Sequence, residues 1–259
     1  MTTNPHDSPS LSQASPSNTS PTTATVPQQQ LGLGECCSWV DQQKAIAQLL
    51  PNVAARSPLN SRLLLAQFDA HSITVYQAYK PSISRQAVAT ETFCDSDFSF
   101  SRMTWIKPNF SWMMYRSGWA SKRNQETILA IRLTRTYFDQ LLQQAVSSSW
   151  DGASYGSREE WHKALRASKV VVQWDPDHHL VTGAKLPYRV IQLGIRAGAL
   201  EGFRGFGIVS ITDITTQAKA MQQDISTASG LRDAQTPWEK RYPISGSMKA
   251  TLGIQNGTL

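Results

Sequence analysis

The sequence predicts an α+β fold: a single mixed sheet of about five strands packed with helices, flanked by disordered N- and C-terminal tails. Three observations predict it. Runs rich in β-branched and aromatic residues have the length and composition of strands, as in SITVYQAY (72–79) and TILAIRLT (127–134). The segments between such runs carry apolar residues at helical spacing, without the regular rhythm of a parallel βαβ repeat. The two ends differ in composition from the middle. Seventeen of the first thirty residues are Ser, Thr or Pro, and Asp7 is their single charge. Such a segment buries too little apolar surface to offset its ordering entropy. The reading is therefore a tail at 1–34, one domain at 35–225, and a poorly ordered Gly-, Ser- and Pro-bearing tail at 226–259.

Within the domain, SWVDQQKAIAQLL (38–50) has Val40, Ala45, Ile46, Leu49 and Leu50 at helical spacing, and Pro51 stops it. A short helix is expected at 61–68, then the strand 72–79. Pro81 opens a helix to about Ala89. RMTWI reads as a short strand, and Pro108 suits the start of a helix over 108–117, with Gly118 placed as its C-terminal glycine. The strand 127–134 and a helix to about Val146 follow, then a helix near 157–167. Strands are expected at KVVVQW (169–174), RVIQLGI (189–195) and IVSIT (208–212), with a closing helix near 214–224.

Composition excludes several classes. The first thirty residues contain neither Arg nor Lys and no apolar core of a signal peptide, which speaks against mitochondrial import and secretion. No run approaches the ~18 apolar residues of a membrane span. The expected compartment is cytoplasmic or nuclear, with no membrane partner. The net charge is +6, compatible with an anionic partner. Three cysteines form no framework, and the expected state is reduced thiol.

The stretch RMTWIKPNFSWMMYRSGW (102–119) combines aromatic and Met residues with three cations, Arg102, Lys107 and Arg116. On a helical wheel Phe110, Met113, Met114 and Ser117 form a core face. Trp112, Tyr115 and Arg116 lie together on another. A guanidinium offers forked donors to phosphate, and a ring offers a stacking face. This pattern points to a nucleotide or other phosphate-bearing small molecule, held by Lys107 and Arg116 and stacked on Trp112 or Tyr115. In VYQAYK (75–80), Val75, Gln77 and Tyr79 share one strand face, and Tyr76 and Ala78 the other. The amide of Gln77 then needs buried partners. Asp175-Pro176 reads as a turn in which Trp174 ends a strand and Asp175 faces Arg116 or Arg189. Arg189 and Gln192 fall on opposite faces of RVIQLGI. His178 and His179 are adjacent, point apart on a strand, and define no metal site. GFRGFG (202–207) reads as a loop.

These residues resemble a known family. RMTWIKPNFSWMMYRSGW is similar to the signature RMTWIKPSFLWMMYRSGW of the family catalogued as domain of unknown function 4291. The likeness extends to VYQAY, ETILAI (126–131), VQWDP (172–176) and RVIQLGI, and spans roughly residues 60–220. Ser111 departs from an apolar position of that signature, Ala120 from a Gly, Arg123-Asn124 from Pro-Gly, and Asp177-His178 from Glu-Arg. The resemblance implies a domain and supplies no activity.

A second likeness is narrower. The strand VYQAY resembles the aromatic-His-Gly/Ala strand that opens the core of ADP-ribosyl transferases. It would put Gln77 in the position of that His and make Tyr115 the stacking tyrosine. Together with the ring and cation pattern, the candidate catalytic residues are Gln77, Tyr115 and Arg116, and the candidate ligand-binding residues are Tyr76, Tyr79, Arg102, Lys107, Trp112, Ser117, Trp174, Asp175, Arg189 and Gln192. Asp213 or Glu201 would supply the carboxylate. NAD is the cofactor this likeness brings; the residues define none by themselves. The alternatives are a non-catalytic module for single-stranded nucleic acid and a structural or protein-interaction domain.

Overall fold

A computed structural model describes residues 34–50, 61–95, 97–150, 152, 154–226 and 230–254. The expected tail at 1–34 lies outside these residues, apart from Gly34. In chain order the elements begin with β1 (Cys36–Ser38), α1 (Trp39–Leu49), β2 (Arg62–Leu63), β3 (Leu65–Ala66), β4 (Ser72–Tyr79) and α2 (Pro81–Thr90). Then come β5 (Thr104–Ile106), α3 (Phe110–Ser117), β6 (Thr127–Thr134), α4 (Arg135–Gln143), β7 (Ala145–Ser147) and α5 (Arg158–Ala167). The chain continues through β8 (Val170–His178), β9 (Lys185–Ile195), a 3-10 helix (Ala197–Arg204), β10 (Ile208–Asp213) and α6 (Thr215–Ile225). It closes with α7 (Gly230–Asp233), β11 (Gln235–Pro237), β12 (Lys240–Arg241) and α8 (Gly246–Leu252).

The centre is a five-stranded mixed sheet. Its path is β2-β9-β8-β7, and β5 pairs with β9 beyond the end of β2. A three-stranded antiparallel sheet, β10-β6-β4, stands beside it. The two meet where Tyr76 and Lys107 exchange backbone hydrogen bonds of 2.7 and 3.2 Å. Strand alternation then sorts the side chains. Val75 of β4, Leu129 and Ile131 of β6, Val170, Val172 and Trp174 of β8, and Ile191, Leu193 and Ile195 of β9 fill one core. Tyr76, Ile128 and Ala130 face the other way and pack on Phe110, Met113 and Met114 of α3. The expected core face of α3 is the one observed. β4 and β6 are buried on both faces, so neither strand shows the polar alternation of a surface sheet.

Three expectations are corrected. Residues 61–68 form β2 and β3, not a helix, because β9 and β12 offer their backbones as ladders. Asp175-Pro176 lies inside β8 rather than in a turn. GFRGFG is not a plain loop: its first half ends the 3-10 helix.

The chain also does not leave the packed part near 225. Tyr242 and Leu252 join the main core, and Glu239 is buried under α3. The expected tail at 226–259 is thus packed over the described residues 230–254.

Local chemistry accounts for α3. Pro108 precedes the helix, and Asn109 caps it by accepting from the N–H of Trp112 at 2.8 Å. Gly118 ends it in the left-handed region, φ 58°. Trp119 and Ala120 continue there at 57° and 63°, and Asn124 at 60°. These three residues adopt with side chains a conformation that glycine takes more readily.

The close approach at Gly202 yields a first prediction. A Cβ there would lie 2.3 Å from the Tyr137 ring, whose hydroxyl is fixed on the Ala199 carbonyl. Gly202→Ala should cost about 1–3 kcal/mol by overpacking. Urea denaturation would show it as a lower midpoint at unchanged slope.

Candidate functional site

The site is built where β5 runs into α3. Lys107 follows β5 directly, and its pairing with Tyr76 fixes it between the two sheets. It is 6% exposed, and its ammonium has no hydrogen-bond or ion-pair partner among the described residues. Burial first and the nearby Arg116 second lower its pKa to about 8, against the opposing pull of Asp175. Arg116 sits in the last turn of α3, where the helix dipole favours a cation, and is exposed without an ion-pair partner among the described residues. Asp175 is held by the amides of Gln192 (2.6 Å) and Gln173 (3.0 Å).

A ring cluster borders these charges. Trp112 and Tyr115, three apart on α3, stack at 5.6 Å between centroids. His178 of β8 stacks on both, at 5.1 Å from Trp112 and 3.5 Å from Tyr115. Tyr115 keeps 43% of its surface exposed. Trp112 Nε1 and His178 Nδ1 are buried without a hydrogen-bond partner among the described residues. Burial holds the imidazole pKa of His178 below its ordinary value, and Lys185 adds to this.

Beneath this face lies a pair of buried carboxyls. Asp177 accepts from Ser111 Oγ (2.8 Å), Tyr188 Oη (2.9 Å) and the His178 N–H (2.8 Å). Glu239 accepts from Asn109 Nδ2 (2.7 Å) and from the N–H of Phe110 at the start of α3. Burial raises the Asp177 pKa to about 6. Burial also raises that of Glu239 well above the ordinary carboxylate range, and the Asp177 charge adds to it. Ser111 and Asp177 thus tie α3 to the end of β8.

The structure brings together Lys107, Arg116, Asp175, Gln192, Trp112 and Tyr115. It places the other expected residues elsewhere. Gln77 faces the main core and donates to Thr104 Oγ1 (2.7 Å) and the Trp105 carbonyl (3.1 Å). Tyr79, on the same face, bonds the same hydroxyl at 2.7 Å. Tyr76 is under α3, its ring on Phe110. Ser117 turns back onto the carbonyl of Met113. Trp174 is in the core, donating to the Leu252 carbonyl, and Arg189 donates to the carbonyl of Trp174. Arg102 is exposed ahead of β5. Asp213 accepts from Thr215, and Glu201 pairs with Arg204. The grouping of Gln77 with Tyr115 and Arg116 is therefore not assembled.

Sequence reasoning missed His178 as part of this face. The β8–β9 register shifts between Pro176 and His178. Asp177 and His178, which a regular strand would point apart, both reach α3. A Pro within a strand run is the local signal of such a break.

Among the described residues no group of acids, His or Cys forms a metal cluster, and no helix is long and apolar enough to cross a membrane. A shallow depression lined by Ser38, Asp41, Lys44, Arg232 and Gln235 shares no residue with this face. Fold and face together define an α+β domain that presents two unpaired cations beside a stacked ring cluster. The family pattern of the domain of unknown function DUF4291 matches residues 63–242, and the chain belongs to that family. The match, like the core, runs past residue 225. No curated protein matches the chain.

Proposed function

We propose that this domain binds a phosphate-bearing ligand of the nucleotide class at Lys107 and Arg116, with a ring of the ligand against Tyr115. The observation that carries this reading is the unpartnered ammonium of Lys107 on a nine-tenths buried side chain. A buried charge without a partner is expensive, and a dianionic phosphate would relieve it. Arg116 supplies forked donors beside it. Asp175, fixed by two amides, is placed to accept a hydroxyl or ammonium from the ligand. The ADP-ribosyl-transferase version lacks support in the placement of Gln77, whose amide nitrogen is already spent on Thr104 and Trp105. NAD remains one of the ligands to test.

The test is a thermal-shift series on the full chain with inorganic phosphate, ATP and NAD. The full chain is needed because residues beyond 225 complete the core. A ligand at a hundred times its Kd should stabilise by about 2.7 kcal/mol. Arg116→Gln should leave the melting temperature of the free protein nearly unchanged, since Arg116 is exposed, and should remove the shift. A shift retained in Arg116→Gln would remove that residue from the site.

A further inference from the structure

We infer that the phosphate-bearing partner of this face is single-stranded nucleic acid, with one unstacked base lying on Tyr115; this rests on the phosphate-binding reading above. Three observations lead here. First, Tyr115 is exposed yet already ordered, because His178 holds its ring from behind at 3.5 Å and 8° between planes. A pre-stacked ring takes a base with little further loss of rotamer freedom.

Second, four cations lie on or beside the elements that carry this ring and its stacking partner, and they are contributed by separate segments of the chain. Arg116 follows Tyr115 on α3 and is near enough to Lys107 to lower its pKa. Lys185 is close enough to His178 to depress its pKa. Lys122 reaches back to the carbonyl of Arg116 (2.8 Å), its ammonium 5.8 Å from the Tyr115 ring centre. The ion pairs among the described residues involve none of these four, and Asp175 is already bound by two glutamines. A mononucleotide places its charge at one end of its base. A strand carries phosphates on both sides of each base and matches cations contributed by separate segments.

Third, a duplex would not serve. Its bases stack on each other and leave no face for Tyr115, whereas a single strand exposes every base. Displacing the exposed Lys122 ammonium sideways opens the outer face of the ring, and that ammonium then finds a phosphate.

The experiment is fluorescence anisotropy of the full chain with a labelled single strand of about a dozen nucleotides. RNA and DNA forms, a blunt duplex of the same sequence, ATP and pyrophosphate complete the series. Single strands should bind tighter than ATP and tighter than the duplex. The plot of log K against log salt should have a slope of about −3, from four phosphate contacts at about 0.7 each. Lys185→Gln should shorten that slope by about 0.7. Tyr115→Ala should weaken binding about tenfold or more, and Tyr115→Phe should restore it, because stacking needs the ring and not the hydroxyl.

If ATP or pyrophosphate binds through Arg116 but the single strand binds no tighter, the nucleic-acid inference falls and the phosphate reading stands. Equal affinity for the duplex, or unchanged affinity in folded Tyr115→Ala, also overturns the inference. If no probe binds, both fall.

Discussion

Lys107→Met is expected to raise the melting temperature of the free protein while abolishing its response to phosphate and nucleotide. Methionine reproduces the length and apolar stem of the lysine without its charge. In the native protein the ammonium is buried beside Arg116 and its pKa is lowered to about 8 from an ordinary 10.5. A base whose folded pKa is depressed destabilises the fold below that pKa, and the penalty is relieved as pH rises from about 8 toward the unfolded value. At neutral pH the full penalty applies. Removing it should stabilise by about 1–3 kcal/mol, the range found when buried charges give way to well-packed apolar residues. In a domain of this size that is a rise of about 2–12 °C. Calorimetry with and without ligand reads both effects. A residue retained only for packing would give no ligand effect. A residue with an essential ion-pair partner would lower the melting temperature. A gain in stability coupled to a loss of binding is the signature of a charge kept for a ligand.

The second large effect concerns Asp177. Its carboxyl is buried with that of Glu239, and no Lys or Arg hydrogen-bonds to either among the described residues. Its folded pKa of about 6 exceeds its ordinary value of 3.8. A carboxyl whose pKa is raised by folding stabilises fully below the unfolded value, and that contribution is lost as pH rises through the folded one. The loss attributable to Asp177 thus begins near pH 4 and is complete a little above pH 6. Glu239, whose pKa burial also raises, contributes with the same sign.

Asp177→Asn removes the charge and keeps the contacts with Ser111, His178 and Tyr188, giving up the 3.5 Å bond donated by Asn109 Nδ2. The amide oxygen accepts from Ser111 and His178. The amide nitrogen donates to Tyr188, whose hydroxyl turns to Gln43 at 3.4 Å. The variant should equal wild type near pH 4 and exceed it by about 2–3 kcal/mol at pH 8. Asp69, whose pKa is lowered to about 2 by hydrogen bonds led by that from the His71 N–H, acts with the opposite sign at low pH. It cancels in the difference between the two proteins. Equal stability of the two at pH 8 would show that Asp177 is not charged within the pair.

The local parts of the fold were legible in the sequence. β4 and β6 match their predicted limits, since eight-residue runs of β-branched and aromatic residues between turn signals leave little choice. The limits and faces of α3 followed from the residues at its ends and from 3.6-residue periodicity, which reach no further than a few positions. The shared face of Val75, Gln77 and Tyr79 followed from strand alternation. The helix expected at 61–68 failed because its residues take their hydrogen bonds from partners more than a hundred positions away. The tail expected from 226 failed for a related reason. The run QTPWEKRYPIS has no helical or strand periodicity to mark Glu239 and Tyr242 as buried, and their burial depends on α3 and α4 being there to cover them.

For the site, the sequence by itself determined that rings and cations would share one surface of α3, because positions three and four apart on a helix lie together. It also determined that Arg116 would sit beside Trp112 and Tyr115. Only the tertiary structure decided that Lys107 would be nine-tenths buried with no ion pair among the described residues, that Trp174 would turn to the core while Asp175 came near Lys107, and that His178 would lie under Tyr115. A strand buried on both sides has two apolar faces, and nothing in its own periodicity says which of them meets a charge. That choice is made by the element packed against it. Here it depends on a two-bond bridge between Tyr76 and Lys107 and on a break in register at the end of β8.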